Sequence, residues 1–264
     1  AIYGYLTILA AILFTLTSLW GKPLEAANFW VKTNPGSIRA VVHQVNLSLS
    51  KNSLDLAQNN VNTIQINRAI GAIKLLDKTT QWCRDCLGIY MQALVYSCIV
   101  EKPEEQRARL IKIDELLRQS KISIDITSVD GAAALASLVA NQRCLGVQYI
   151  DIEKMLNGML VHRQHATSQG LLARMYYQLA TLAYAGQRFD DVEKIISTAD
   201  EKWPDAQPVI EFRVEYYLQH RSRSAAIQYI RGKIAQQQRN AIQLPRSYVI
   251  DLERKLHELE KNEN

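Results

Sequence analysis

Residues Leu171–Asp205 read LLARMYYQLATLAYAGQRFDDVEKIISTADEKWPD. On both sides of Ala185-Gly186-Gln187-Arg188, apolar and small side chains return every three or four places, the period of an amphipathic helix. The segment is therefore expected to form two helices joined by a tight turn. Tyr176, Leu179, Ala180 and Ala183 make the inward stripe of the first, and Phe189, Val192, Ile196 and Ala199 that of the second. Small residues at Ala180, Ala183 and Ala199 let the two helices approach, while Tyr176 and Phe189 fill the space around them. Pro204 has no amide hydrogen to continue a helix and ends the second one.

Aromatic, Leu and small positions in the first helix, followed by apolar positions and Pro in the second, resemble a tetratricopeptide repeat (TPR). Two places depart from that pattern: Ala183 stands where the family usually has Tyr, and Gly186 falls one place early. A single helical pair cannot bury its own apolar face, so neighbouring pairs are expected on both sides. Downstream, Ala206–Gln219 and Ser222–Gln238 form one, with Val209, Phe212, Tyr216, Ala226, Ile227 and Ile230 inward. Upstream, Ser37–Ser50 and Leu54–Ile66 form another, with Ala40, Val45, Leu47, Leu49, Leu54 and Ala57 inward. Arg246–Glu260 sets Val249, Leu252, Leu256 and Leu259 on one stripe, as a terminal capping helix should.

Residues 70–167 are less regular. Helices are expected at Gln81–Val100, Pro103–Gln119, Val129–Asn141 and Ile150–His162, and Lys121–Thr127 (KISIDIT) is either a short strand or a loop entering a helix near Ser128 or Asp130. This region holds all four cysteines, Cys83, Cys86, Cys98 and Cys144, for which three disulfide pairings exist. Outside the cytoplasm, disulfides tying the Gln81 helix to itself and to the helix carrying Cys144 would stiffen a stretch that lacks a standard repeat. The alternative for Cys83-Arg84-Asp85-Cys86 is a redox pair, with Thr79 or Thr80 capping a helix and Cys83 in its first turn, where the dipole favours thiolate. No strand–helix–strand unit surrounds it, which favours the structural role.

Residues 1–20 (AIYGYLTILAAILFTLTSLW) contain no charge, and Lys22 is the first. Ile2–Trp20 reaches the length needed to cross a bilayer, with Trp20 where an interfacial aromatic belongs. A buried core helix is the alternative. No basic region precedes the run and no small-residue cleavage site follows it, so it does not read as a secretory signal; it is expected to be the last of several spans. The fold class expected is thus all-α: a transmembrane helix over 1–21, a membrane-proximal TPR-like repeat over 22–69, an irregular helical region over 70–167 and TPR-like repeats with a capping helix over 168–264. Eleven Gly, six Pro and four Phe among 264 residues agree with helices over a sandwich or barrel.

The net charge of +5 comes from interspersed charges, so no nucleic-acid partner is expected. The densest basic stretch, His220–Arg223 with Arg231 and Lys233, reads as a solvated helix face, with contact to anionic lipid or glycan as the alternative. His162 and His165 share a helix face but lack further ligands, so no metal is expected. Paired acids at Glu104-Glu105, Asp190-Asp191 and Asp200-Glu201 fit first and last helical turns. No phosphate loop, nucleophile elbow or zinc-protease motif occurs, and neither a catalytic residue nor a cofactor is expected.

The junction Trp20–Ala40, WGKPLEAANFWVKTNPGSIRA, is similar to the passage by which polytopic bacterial membrane glycosyltransferases leave their last span and enter a C-terminal TPR region. The residues that carry this are Trp20, the helix Leu24–Val31 with Ala27 and Trp30, Asn34-Pro35, and Ser37, Arg39 and Ala40. Such enzymes, O-antigen ligase-like ones included, move glycans from polyprenyl carriers to proteins or envelope polymers. The resemblance implies an inner-membrane protein with its repeats in the periplasm, binding an acceptor or partner protein on the concave face. A single-span scaffold of an envelope assembly with no enzyme attached is the alternative. Stacked repeats expose their inner helices on that face, which nominates Arg174, Tyr177, Gln178, Tyr184, Arg213 and Tyr217 as partner-binding residues, rich in the aromatic and Arg groups that anchor peptides.

Overall fold

The computed structural model describes residues 22–34, 37–50, 63–119, 122–162 and 168–261. The apolar run Ile2–Trp20 lies outside them, as does Leu54–Asn62, most of the second helix expected upstream. Among the described residues no helix is long and apolar enough to cross a membrane. They form twelve helices: α1 Pro23–Thr33, α2 Ile38–Ser50, α3 Thr63–Thr79, α4 Leu87–Val100, α5 Pro103–Leu117, α6 Ile126–Ala140, α7 Tyr149–Val161, α8 Gln169–Ala185, α9 Phe189–Lys202, α10 Gln207–His220, α11 Arg223–Gln238 and α12 Arg246–Lys261. The chain divides into two compact units at Met155/Leu156, within α7.

In the first unit α1 pairs with α2, α2 packs on α3, and α3 on α4; α4 also packs on α5 and α6. Ala27 is fully buried in the α1–α2 contact, and Gln44 Nε2 donates to Asn28 Oδ1 at 2.6 Å. α4 is apolar on all sides because it has neighbours on all sides, with Leu87, Ile89, Met91 and Leu94 at 0% exposure. Small residues allow its closest crossing. A Cβ on Gly131 would lie 2.8 Å from Met91 Cβ, and one on Gly88 would lie 2.7 Å from Asp125 Oδ1. Arg109 on α5 clamps this packing, reaching Asp77 on α3 at 2.8 and 3.0 Å and Glu101 after α4 at 2.7 Å through two nitrogens. Both partners and the fork geometry hold its guanidinium well above its ordinary value despite the burial that opposes this.

The described part of the run expected as a strand or loop is a short extended segment that enters a helix. Ile122 and Ile124 are buried, a single bridge joins Ser123 to Cys86, and Asp125 caps α6 by accepting from Ser128 N at 3.0 Å. That cap starts the helix at Ile126, before Val129, because the Asp carboxylate satisfies an amide that otherwise has no partner. The helix expected from Gln81 starts only at Leu87: Gln81–Cys86 is a turn. The upstream helix continues through Thr79, beyond the Ile66 expected.

The second unit follows the pattern read from Leu171–Asp205. α8 packs on α9 and on α10, α9 also touches α10, and α10 pairs with α11, against which α12 lies. The strongest contacts of each element are with its near neighbours in sequence. Ala180, Ala183, Val192, Ile196 and Ala199 are buried between the hairpins as their spacing demanded. Ser168 and Ser222 open α8 and α11 by accepting from Leu171 N and Ala225 N. Gly186 keeps an ordinary φ of −82°, and the left-handed residue of the turn is Gln187 at φ 56°, so the glycine does sit one place early. Leu252 of α12 is buried, with Val249, Leu256 and Leu259 packed beside it.

Candidate functional site

α8 and α10 are the first helices of successive hairpins and lie side by side. Their shared seam is aromatic. Tyr177 meets Phe212 edge-on at 5.7 Å between ring centres, and Tyr184 meets Phe189, Phe212, Tyr216 and His220 within 6.5 Å. The Tyr184 hydroxyl lies 2.8 Å from His220 Nε2 and also reaches Gln219 Oε1. Tyr177, Gln178 and Tyr184 are half-buried along this row and Arg174 is exposed at its start.

Arg213 and Tyr217, nominated with them, face elsewhere. The Arg213 side chain is 15% exposed, 3.0 Å from Asp200 and 3.5 Å from Glu193, and its Nε donates to the Tyr217 hydroxyl at 2.8 Å. Its guanidinium lies 5.3 Å from the Tyr217 ring centre and 5.1 Å from that of Tyr229. Its position on α10 turns Arg213 toward the acids of α9 and the Tyr229 ring of α11.

The same cluster corrects the reading of Lys233. Assigned from sequence to a basic, solvated face, it is 3% exposed, 2.7 Å from Asp200 Oδ1, and donates to the Pro204 carbonyl at 2.8 Å. Tyr229 donates to Asp200 Oδ1 at 2.8 Å, and burial together with the Asp200 charge pushes its hydroxyl far up. Asp200, read as a solvated last-turn acid, is the anion at the centre of this network. Nothing in the local spacing announces it, because its partners come from two other helices, α10 and α11.

In the first unit Cys83 pairs with Cys86 and Cys98 with Cys144. The first closes the turn before α4 and the second ties α4 to the loop before α7. Gln106 braces that loop: it is 3% exposed, its Nε2 donates to Glu101 O at 2.9 Å, and its Oε1 accepts from Gly146 N at 2.8 Å. Cys83, Cys86 and Asp85 hold their ligand atoms within 4.8 Å of one another. Both sulfurs are bonded to each other, so the set offers no pair of thiolates to a metal. His162 follows α7 in a turn, and His165 falls outside the described residues.

Comparison of the chain with protein families, with curated proteins and with solved structures finds no match.

Proposed function

We propose that this chain is a membrane-anchored helical-repeat domain that binds a protein partner along the α8–α10 row, and that it serves as the extracytoplasmic accessory domain of a glycosyltransferase in protein or envelope glycosylation. The observation that carries the binding role is the aromatic seam that Tyr177 and Tyr184 of α8 make with α10, with Arg174 and Gln178 beside them on α8. Amphipathic aromatics in a preformed row offer contact area at little entropic cost. Two disulfides fit an oxidising compartment. The uncharged segment before Lys22 supplies the anchor.

Photo-crosslinkers placed at Arg174 and Gln178 in cells test it, with Lys194 and Glu201 on α9 as controls. Specific adducts from the α8 row alone are expected; equal labelling from α9 would overturn the assignment. Deleting residues 168–261 from the gene should abolish glycan transfer to the acceptor. Unchanged transfer with a lost envelope assembly would establish the single-span scaffold instead.

A further inference from the structure

The turn Thr80–Cys86 holds Trp82 at 66% exposure, although the residues around it are firmly tied. Cys83 N donates to Thr79 O at 3.1 Å, Thr80 Oγ1 donates to Asp77 O at 2.7 Å, Ser123 N donates to Asp85 O at 2.8 Å, and the Cys83–Cys86 bond closes the turn. Trp82 thus stands on a fixed support, between Gln81 and Arg84, and both of these line an adjoining cleft of about 430 Å³ together with Tyr90, Lys112 and Gln119. That volume falls in the range of small-ligand clefts. Arg84 and Lys112 each lack a carboxylate partner among the described residues, Lys112 instead lying 5.4 Å from the Tyr90 ring centre. Among the described residues Glu115 is the one acid on the wall. Burial raises the Tyr90 hydroxyl, so it remains a donor at neutral pH.

We infer that this cleft binds an anionic saccharide, one sugar face stacking on Trp82 while its carboxylate or phosphate meets Arg84 and Lys112. An exposed indole on a tied turn presents a flat apolar face with the backbone beneath it already ordered. Amide and hydroxyl groups at Gln81, Gln119, Thr80 and Tyr90 match a ligand dense in hydroxyls, and the two cations select one carrying negative charge. A bilayer surface fits less well, since Gln81 and Arg84, polar and exposed, flank Trp82 along the turn. The site lies in the first unit and stands whether or not the α8–α10 row binds a protein.

Calorimetric titration of the full chain in detergent micelles, with tetragalacturonate, maltotetraose and inorganic phosphate as probes, decides it. Tetragalacturonate should bind at least about tenfold more tightly than either other probe. Trp82→Ala should weaken it about tenfold, the loss of one stacking contact, and Trp82→Phe should restore most of that. Arg84→Gln with Lys112→Gln should erase the preference for the charged sugar, with the thermal melt unchanged. Affinity unaltered by these substitutions, phosphate binding as tightly as the uronate, or displacement of the uronate by phosphatidylglycerol vesicles would each overturn the assignment.

Discussion

Replacing Asp200 with Ala strips the one carboxylate that faces Lys233, Arg213 and Tyr229 together. Arg213 retains Glu193 and Tyr217, but Lys233, 4% exposed at its side chain, keeps the Pro204 carbonyl and the Tyr229 ring and no carboxylate among the described residues. Breaking a buried pair so that one charge stays behind costs about 3–5 kcal/mol. For a unit of this size about 4 °C is lost per kcal/mol, which places the expected drop in melting temperature at roughly 12–20 °C. Removing both charges, in Asp200→Ala with Lys233→Met, leaves an apolar group where the stranded ammonium stood and should recover about 1–3 kcal/mol over the single variant. Lys233→Met alone leaves Asp200 with Arg213 and Tyr229 and should cost about 1–2 kcal/mol. Urea unfolding followed by circular dichroism gives all four stabilities. A loss within about 0.5 kcal/mol for Asp200→Ala, the scale of an ordinary surface change, would refute the reasoning, as would a double variant that loses the sum of the two.

Gln187→Gly should stabilise the α8–α9 turn by about 0.5–1 kcal/mol, since φ is 56° there and glycine carries no Cβ penalty in that region; a higher melting temperature checks it. Replacing Cys98 and Cys144 with Ser opens a loop spanning 46 positions and should cost about 4 kcal/mol, whereas the Cys83/Cys86 replacement, spanning 3, should cost about 1.6 kcal/mol; parallel urea titrations give the order. Burial pushes the Tyr96 hydroxyl up to about 12, above the value near 10 of the unfolded chain, so the folded state holds the proton longer. Its stabilisation is complete below pH 10 and falls by about 2–3 kcal/mol as pH rises from 10 to 12, a slope that Tyr96→Phe should flatten in alkaline unfolding curves.

The helices of the second unit were legible because they obey local rules. Ser168 and Ser222 cap two of them, Pro204 follows one, and alanines mark where hairpins meet, so the boundaries at 185–189 and 220–223 emerged close to where spacing placed them. The first unit was harder to read. α4 carries almost no amphipathic stripe, since it is buried all round, and its start was hidden by a cysteine turn whose conformation depends on Asp85 bonding to Ser123. The cleft beside Trp82 escaped notice for a similar reason: Arg84 and Tyr90 are near in sequence, but Lys112 arrives from α5 and Gln119 from the turn after it.

By itself the sequence determined an all-helical chain, the apolar and polar faces of most helices and the hairpin pattern of the C-terminal half, because each follows from side chains within a turn or two of one another. Tertiary structure alone decided which cysteines pair, that Lys233 is buried and Arg213 engaged, and which cations stay open to a ligand. Those outcomes depend on residues brought together across 13 to 46 positions of chain, as in Asp200–Arg213 and Cys98–Cys144, and the packing of whole helices sets those distances, not local preference.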